Sequence, residues 1–235
     1  MARNVIFDLD GTLVDSIPGI QWSVDAALAE CGMPSVSGDL KPLIGPPIRD
    51  ILAAVSGASD AATLDRMELA FRSVYDSGGW RKTTCQPGAK GALERLRTAG
   101  CGLWVVTNKP GNAARAILSE LALADYFEEI VCRDSRIPGF ASKAEMLANL
   151  LERCALVRAE SIMIGDTLED CRAAAAAGIA CALVPHGYGG GLDGPLPGRC
   201  RPIAGWNELI AWCEASDPMG DDPSHPAQER RMGND

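Results

Sequence analysis

Two acidic loops, far apart in the chain, hold the residue types best suited to chemistry. The first, Asp8-Leu9-Asp10-Gly11-Thr12, directly follows the apolar run Val5-Ile6-Phe7. The second, Gly165-Asp166-Thr167-Leu168-Glu169-Asp170, directly follows Ile162-Met163-Ile164. Carboxylates at the carboxyl ends of buried parallel strands point into the crevice where α/β sheets bind ligands. Four of them converging there repel one another unless a cation lies between them. Hard oxygen donors with room for water suit Mg²⁺. The pattern therefore points to metal-assisted chemistry on an anionic group, with phosphate the foremost candidate.

Each residue has a role that its chemistry allows. Asp8, first after its strand, can attack phosphorus and form an aspartyl-phosphate, dividing one difficult hydrolysis into two easier steps. Asp10 is close enough to protonate a leaving oxygen and later to take a proton from water. Gly11 permits a sharp turn that brings backbone amides toward phosphoryl oxygens. Asp166 and Asp170, at i and i+4, share one side of a helix start and complete the Mg²⁺ set. Thr107-Asn108 follows Leu103-Trp104-Val105-Val106 and offers a hydroxyl and donors where charge develops on the transferring group. Lys143, in Ala141-Ser142-Lys143-Ala144, heads a helix and can pair with Asp8 and the phosphoryl oxygens. Alignment and charge neutralisation are what phosphoryl transfer needs.

These residues require a frame that brings strand ends together. Apolar runs at 4–7, 102–106, 129–132, 161–164 and 180–184 read as strands covered on both faces. Helical patterns lie between or after them at about 88–99, 111–122, 141–153, 169–177 and 204–214. This alternation predicts the α/β class with a doubly wound parallel sheet.

Residues 16–84 break the alternation. They contain no convincing strand but three helix patterns: Pro18 to Cys31, Pro46-Pro47 through to Gly57, and Ala61 to Asp76, ended by Gly78-Gly79. A helical insertion after the first strand is placed to cover the carboxyl edge of the sheet as a lid. The expected division is a core of 1–15 and 85–215, a helical cap of 16–84, and a disordered tail of 216–235 rich in Asp, Pro, Gly, Arg and Ser. Gly187 to Pro197 reads as a surface loop near the site edge.

Composition narrows the function classes. The chain of 235 residues is 47% hydrophobic and 23% charged, ordinary for a globular protein. Its net charge of −9 argues against a nucleic-acid surface. No apolar run approaches membrane-spanning length, and the N-terminus enters a strand without a signal-like segment, so a cytoplasmic location is expected. The nine cysteines include no C-x-x-C pair and have only two histidines beside them. That pattern fits neither a zinc site nor a disulfide framework, and predicts reduced thiols that pack as small hydrophobes.

Taken together, Asp8-Leu9-Asp10-Gly11-Thr12, Thr107-Asn108, Lys143, and Gly165-Asp166 with Asp170 resemble the four motifs of the haloacid-dehalogenase superfamily, in order, over roughly residues 4–185. The resemblance implies a Rossmann-like core, Asp8 as nucleophile and Asp10 as general acid/base. It implies Mg²⁺ held by Asp8, the Asp10 carbonyl oxygen and Asp166, with Asp170 a direct or supporting ligand. The insertion looks like the helical cap of the phosphoglycolate-phosphatase-like branch. Lys41-Pro42-Leu43-Ile44-Gly45-Pro46-Pro47 and Gly79-Trp80 look like a 5′-nucleotidase-like subgroup.

Gly11, Thr12, Gly45 and Arg49 are the candidate substrate-binding residues, with Arg49 reaching the non-transferred portion. The implied substrate is a small phosphorylated metabolite, and the implied state is a monomer or homodimer. Phosphoglycolate and a nucleoside monophosphate both suit the pattern. A sugar phosphomutase is a rival reading, although Thr12 stands where mutases of this group tend to carry an apolar residue. A phosphoacceptor signalling module is another, and the helical insertion fits it badly. Plainer roles also exist: Asp170 as a first-turn helix charge, Thr107-Asn108 as a cap before Pro110, and Lys143 or Arg49 as solvated side chains.

Overall fold

The computed structural model describes residues 2–189 and 194–214. The tail expected at 216–235 and part of the loop expected at 187–197 lie outside these residues. Six strands form one parallel sheet: β1 (Asn4–Phe7), β4 (Gly102–Thr107), β5 (Glu129–Cys132), β6 (Ser161–Gly165), β7 (Ala180–Leu183) and β8 (Arg199–Pro202). Their order is β5-β4-β1-β6-β7-β8, with every neighbour parallel. β1 is central, and Phe7 pairs in register with Val105 of β4 and Ile164 of β6. The carboxyl ends of these three strands therefore lie side by side.

Apolar residues alternate between the two faces of the sheet. Val5, Phe7, Leu103, Val105, Ile162 and Ile164 pack on one side. The helices there are α4 (Ala89–Thr98), α5 (Gly111–Glu120) and α8 (Trp206–Glu214). Ile6, Trp104, Val106 and Met163 face α6 (Lys143–Arg153) and α7 (Leu168–Ala177) on the other side. Both faces are covered, which is why the strands read as continuous apolar runs. Phe7 is fully buried, so truncating it to alanine would cost about 3–5 kcal/mol.

The helical insertion leaves and re-enters the core through a two-stranded antiparallel stem. β2 (Val14–Asp15) pairs with β3 (Thr84–Cys85), Val14 opposite Cys85 and Asp15 opposite Thr84. Between them run α1 (Ile17–Glu30), α2 (Ile48–Ser56) and α3 (Ala61–Ser77). Pro18 starts α1, where a missing N–H is harmless. Gly57, at φ 69°, ends α2 in the left-handed region. The Asp60 side chain caps α3 by accepting from the Thr63 N–H at 2.9 Å. The three helices bury Val24, Leu52 and Met67 in a cluster that also takes Ala113 and Tyr188 from the core.

Three features differ from expectation. β8 had no apolar signature because Arg199-Cys200-Arg201-Pro202 is an exposed edge strand, where charge and proline deter further pairing. The stem strands are two residues each, too short to show a period. Cys171 and Cys200 form a disulfide instead of remaining reduced, since α7 and the edge strand bring their Cα atoms to 5.7 Å. No helix among the described residues is long and apolar enough to cross a membrane.

Candidate active site

Asp8 stands at the exit of β1, where its N–H donates to the Ile164 carbonyl at 2.8 Å and anchors it between neighbouring strands. Its carboxylate is buried. Lys143, the first residue of α6, turns its buried ammonium inward to Asp8 Oδ2 at 3.0 Å and Asp170 Oδ1 at 2.8 Å. Ser142 caps that helix by accepting from the Glu145 N–H, which fixes where Lys143 enters the site. Asp170 is fully buried at the start of α7. Its Oδ2 accepts from the Thr167 N–H at 3.0 Å and the Thr167 hydroxyl at 2.7 Å, while Thr167 caps the helix in return.

Asp166 is gripped from three sides. Oδ1 accepts from the Thr12 hydroxyl at 2.9 Å, and Oδ2 accepts from the Tyr188 N–H at 2.7 Å. Gly11, at φ 82°, passes so close that a Cβ there would lie 2.2 Å from Asp166 Oδ2. Only glycine satisfies both the conformation and the approach.

Oxygens of Asp8, Asp166 and Asp170 come within 4.8 Å of one another. Burial, with further repulsion from Asp170, Asp166 and Asp10, pushes the Asp8 carboxyl up to about 8, although Lys143 opposes this. Burial and Asp170 likewise push Asp166 up to about 6. Burial alone would lower Lys143, but Asp170 and Asp8 hold its pKa well above the ordinary value. One lysine thus serves three buried acids. Asp8 Oδ1 is buried and has no hydrogen-bond partner among the described residues. An unpartnered hard oxygen beside two further carboxylates fits a divalent cation such as Mg²⁺.

Asp10 occupies the neighbouring position, and Lys109 Nζ donates to both of its oxygens, at 2.9 and 3.1 Å. Lys109 is buried, with its ammonium 5.1 Å from the centre of the Tyr75 ring. Above these groups opens a cavity of about 540 Å³, lined by Asp8, Asp10, Thr107, Asn108 and Lys143 from the core and by residues of α2 and α3.

The haloacid dehalogenase-like hydrolase family model matches residues 5–184, most of the chain. The chain belongs to this family. It is 37% identical over 186 residues to the tyrosine-protein kinase PtkA of Mycobacterium tuberculosis, covering 79% of this chain and 62% of that protein's length. It is 36% identical over 192 residues to phosphoglycolate phosphatase of Cereibacter sphaeroides, covering 78% and 85%. The solved structure of a haloacid dehalogenase-like family protein from Streptococcus pneumoniae superposes with a TM-score of 0.78 at 27% identity, covering 90% of this chain and 98% of that one.

In this member of the family, Asp8, Asp10, Thr107, Lys143, Asp166 and Asp170 meet at one end of the sheet. Thr107 is buried, and its hydroxyl accepts from the Lys109 N–H at 3.2 Å. The Asn108 amide donates to the Gly45 carbonyl at 3.1 Å and to both Glu169 oxygens, tying the loop before α2 to α7. Gly45 lines the cavity, whereas the Thr12 hydroxyl is spent on Asp166. Arg49 is not brought to the cavity. On α2 it lies on a different side from Ile48 and Ile51, and donates instead to Asp65 at 2.6 Å and Glu68 at 3.4 Å.

Lys109 and Tyr188 are the residues that sequence reasoning missed. Lys109 directly follows the Thr107-Asn108 motif, so its position beside a strand end was the available signal. Tyr188 sits in a glycine-rich stretch that reads only as a loop. It is nevertheless buried, and its hydroxyl accepts from the Ser16 N–H at 2.7 Å while donating to Asp15 Oδ1 at 3.0 Å. It thereby links Asp166 to the stem of the helical insertion.

Proposed function

We propose that this chain is a Mg²⁺-dependent phosphomonoesterase that hydrolyses a small phosphorylated metabolite through an aspartyl-phosphate on Asp8. The observation that carries the reading is the free, buried Asp8 Oδ1 inside the acidic cluster at the cavity floor. Asp8 and Asp166 would hold the ion, together with the backbone of Asp10, and Asp170 would support them from behind Lys143. Bound there, Mg²⁺ supplies charge neutralisation for a dianionic phosphoryl group approaching carboxylates.

The residues divide the reaction between them. In the first step the Asp8 carboxylate bonds to phosphorus, the bond from phosphorus to the alcohol oxygen breaks, and Asp10, entering the step protonated, gives its proton to that oxygen. In the second, water attacks the phosphorus, the bond to Asp8 breaks, and Asp10 takes the water proton. Lys109 orients the Asp10 carboxyl through both steps. Lys143 and the Thr107 hydroxyl face the phosphoryl oxygens and stabilise their charge. The helical segment 16–84 acts as a cap that closes the cavity and excludes bulk water.

The relationship to phosphoglycolate phosphatases supports the reaction class and makes phosphoglycolate one substrate to try. The test is phosphate release with Mg²⁺ from phosphoglycolate, a nucleoside monophosphate and para-nitrophenyl phosphate. Asp8→Asn should lower turnover by roughly three orders of magnitude or more while the variant keeps its circular dichroism spectrum. Near-normal turnover by that variant would end the reading.

A further inference from the structure

We propose that the alcohol released from phosphate carries an uncharged ring, and that a carboxylate-bearing leaving group such as glycolate is disfavoured. This rests on the phosphomonoesterase reading and adds the chemical class of the substrate. Beyond its phosphate-facing floor, the cavity is walled by Ile44, Ile48, Ile51, Phe71, Ala113 and Phe140. Phe71 is held in place by stacking on Tyr75, with ring centres 5.2 Å apart and planes inclined by 13°. A volume of about 540 Å³ lies in the range that encloses ring-sized ligands, and a two-carbon acid would leave most of it to water.

Charge on the walls points the same way. A carboxylate taken out of water beside a phosphate needs a cation of its own. Arg72 is the cation on the cap side of the cavity, and Glu68 holds it at 2.8 Å. Glu68 is itself spent on Arg72 and Arg49, and Asp76 on the same wall sets a like charge against an incoming carboxylate. Arg49 is turned to Asp65 and Glu68 and does not line the cavity. Lys109 is engaged by Asp10, and Lys143 by Asp8 and Asp170. Among the described residues, Arg133 is the remaining cation of the lining, on the core side, with its guanidinium 3.5 Å from the Ala141 carbonyl oxygen. An uncharged ring makes no such demand and gains from leaving water for the aliphatic and aromatic walls.

The test compares kcat/KM of the Mg²⁺-loaded protein for benzyl phosphate, ethyl phosphate and phosphoglycolate, all esters of primary alcohols. Benzyl phosphate is expected to exceed ethyl phosphate by about 30-fold from burial of the ring, with phosphoglycolate below both. Phosphoglycolate equal to or above benzyl phosphate would overturn the inference and assign its carboxylate to Arg133. Equal rates for benzyl and ethyl phosphate would also overturn it. Ile48→Arg, which places a cation on the apolar wall, should raise the ratio of phosphoglycolate to benzyl phosphate by at least about 10-fold, and an unchanged ratio counts against the proposal. Hydrolysis of para-nitrophenyl phosphate without a benzyl preference sinks the inference alone. No hydrolysis of any ester sinks the phosphomonoesterase reading and this inference with it.

Discussion

Replacing Gly187 with alanine perturbs the candidate metal site without replacing any of its carboxylates. The φ of Gly187 lies outside the left-handed range, so alanine meets no conformational penalty and the effect is steric. The added Cβ would stand 2.0 Å from Asp166 Cβ and 2.6 Å from its Oδ2. To restore a separation of about 3 Å, Asp166 must retreat by about 1 Å. Overpacking of this kind costs about 1–3 kcal/mol. Movement of Oδ2 also strains the bond it accepts from the Tyr188 N–H at 2.7 Å, a charge-assisted contact contributing about 1.5–3 kcal/mol.

A combined loss of roughly 2.5–6 kcal/mol lowers the melting temperature of a chain this long by on the order of 10 °C. Displacing a ligand by about 1 Å should weaken Mg²⁺ binding by about 10–100-fold. Calorimetric melting without metal and a Mg²⁺ titration measure the two effects separately. Gly91→Ala is the control, because its Cβ meets nothing within 4 Å in α4 and should stabilise by about 0.5–1 kcal/mol. A Gly187→Ala protein that melts and binds Mg²⁺ like wild type would refute the reasoning.

Two further outcomes rest on the same geometry. Lys109→Met removes the partner that holds both Asp10 oxygens, so kcat should fall by about 100-fold with little change in KM; a kcat within about twofold of wild type would detach Lys109 from the chemistry. Burial pushes Asp8 up to about 8 and Asp166 up to about 6, both above the ordinary 3.8, so the metal-free folded state holds protons that the unfolded chain releases. Their contribution to stability therefore falls as pH rises from about 4 to about 8. In thermal melts without metal, Asp8→Asn should gain stability relative to wild type toward pH 8, and the gap should close near pH 4. A gap that widens toward low pH would contradict the sign.

Much of this site could be read from the chain because its residues sit where strands end. Val5-Ile6-Phe7 and Ile162-Met163-Ile164 are apolar on both faces, and that is the signature of a covered parallel strand. Residues directly after two neighbouring parallel strands emerge at the same edge of the sheet, so Asp8 and Asp166 were bound to meet. Side-chain direction was less legible. Arg49 turns to α3 because two acids there compete for its guanidinium, and no local pattern encodes that choice. Tyr188 acts through its backbone N–H and its hydroxyl at once, on two elements remote in sequence. The Cys171–Cys200 pair depended on an edge strand whose polar residues concealed it.

The central claim is that Asp8 becomes covalently phosphorylated in turnover. Rapid acid quench of a reaction with para-nitrophenyl phosphate and Mg²⁺, with peptide mass spectrometry of the quenched protein, measures this directly. The peptide containing Asp8 should carry a phosphoryl group that disappears once substrate is exhausted and never forms in Asp8→Asn. Steady hydrolysis with an unmodified Asp8 peptide at every quench time, or phosphate found on another residue, would contradict the account.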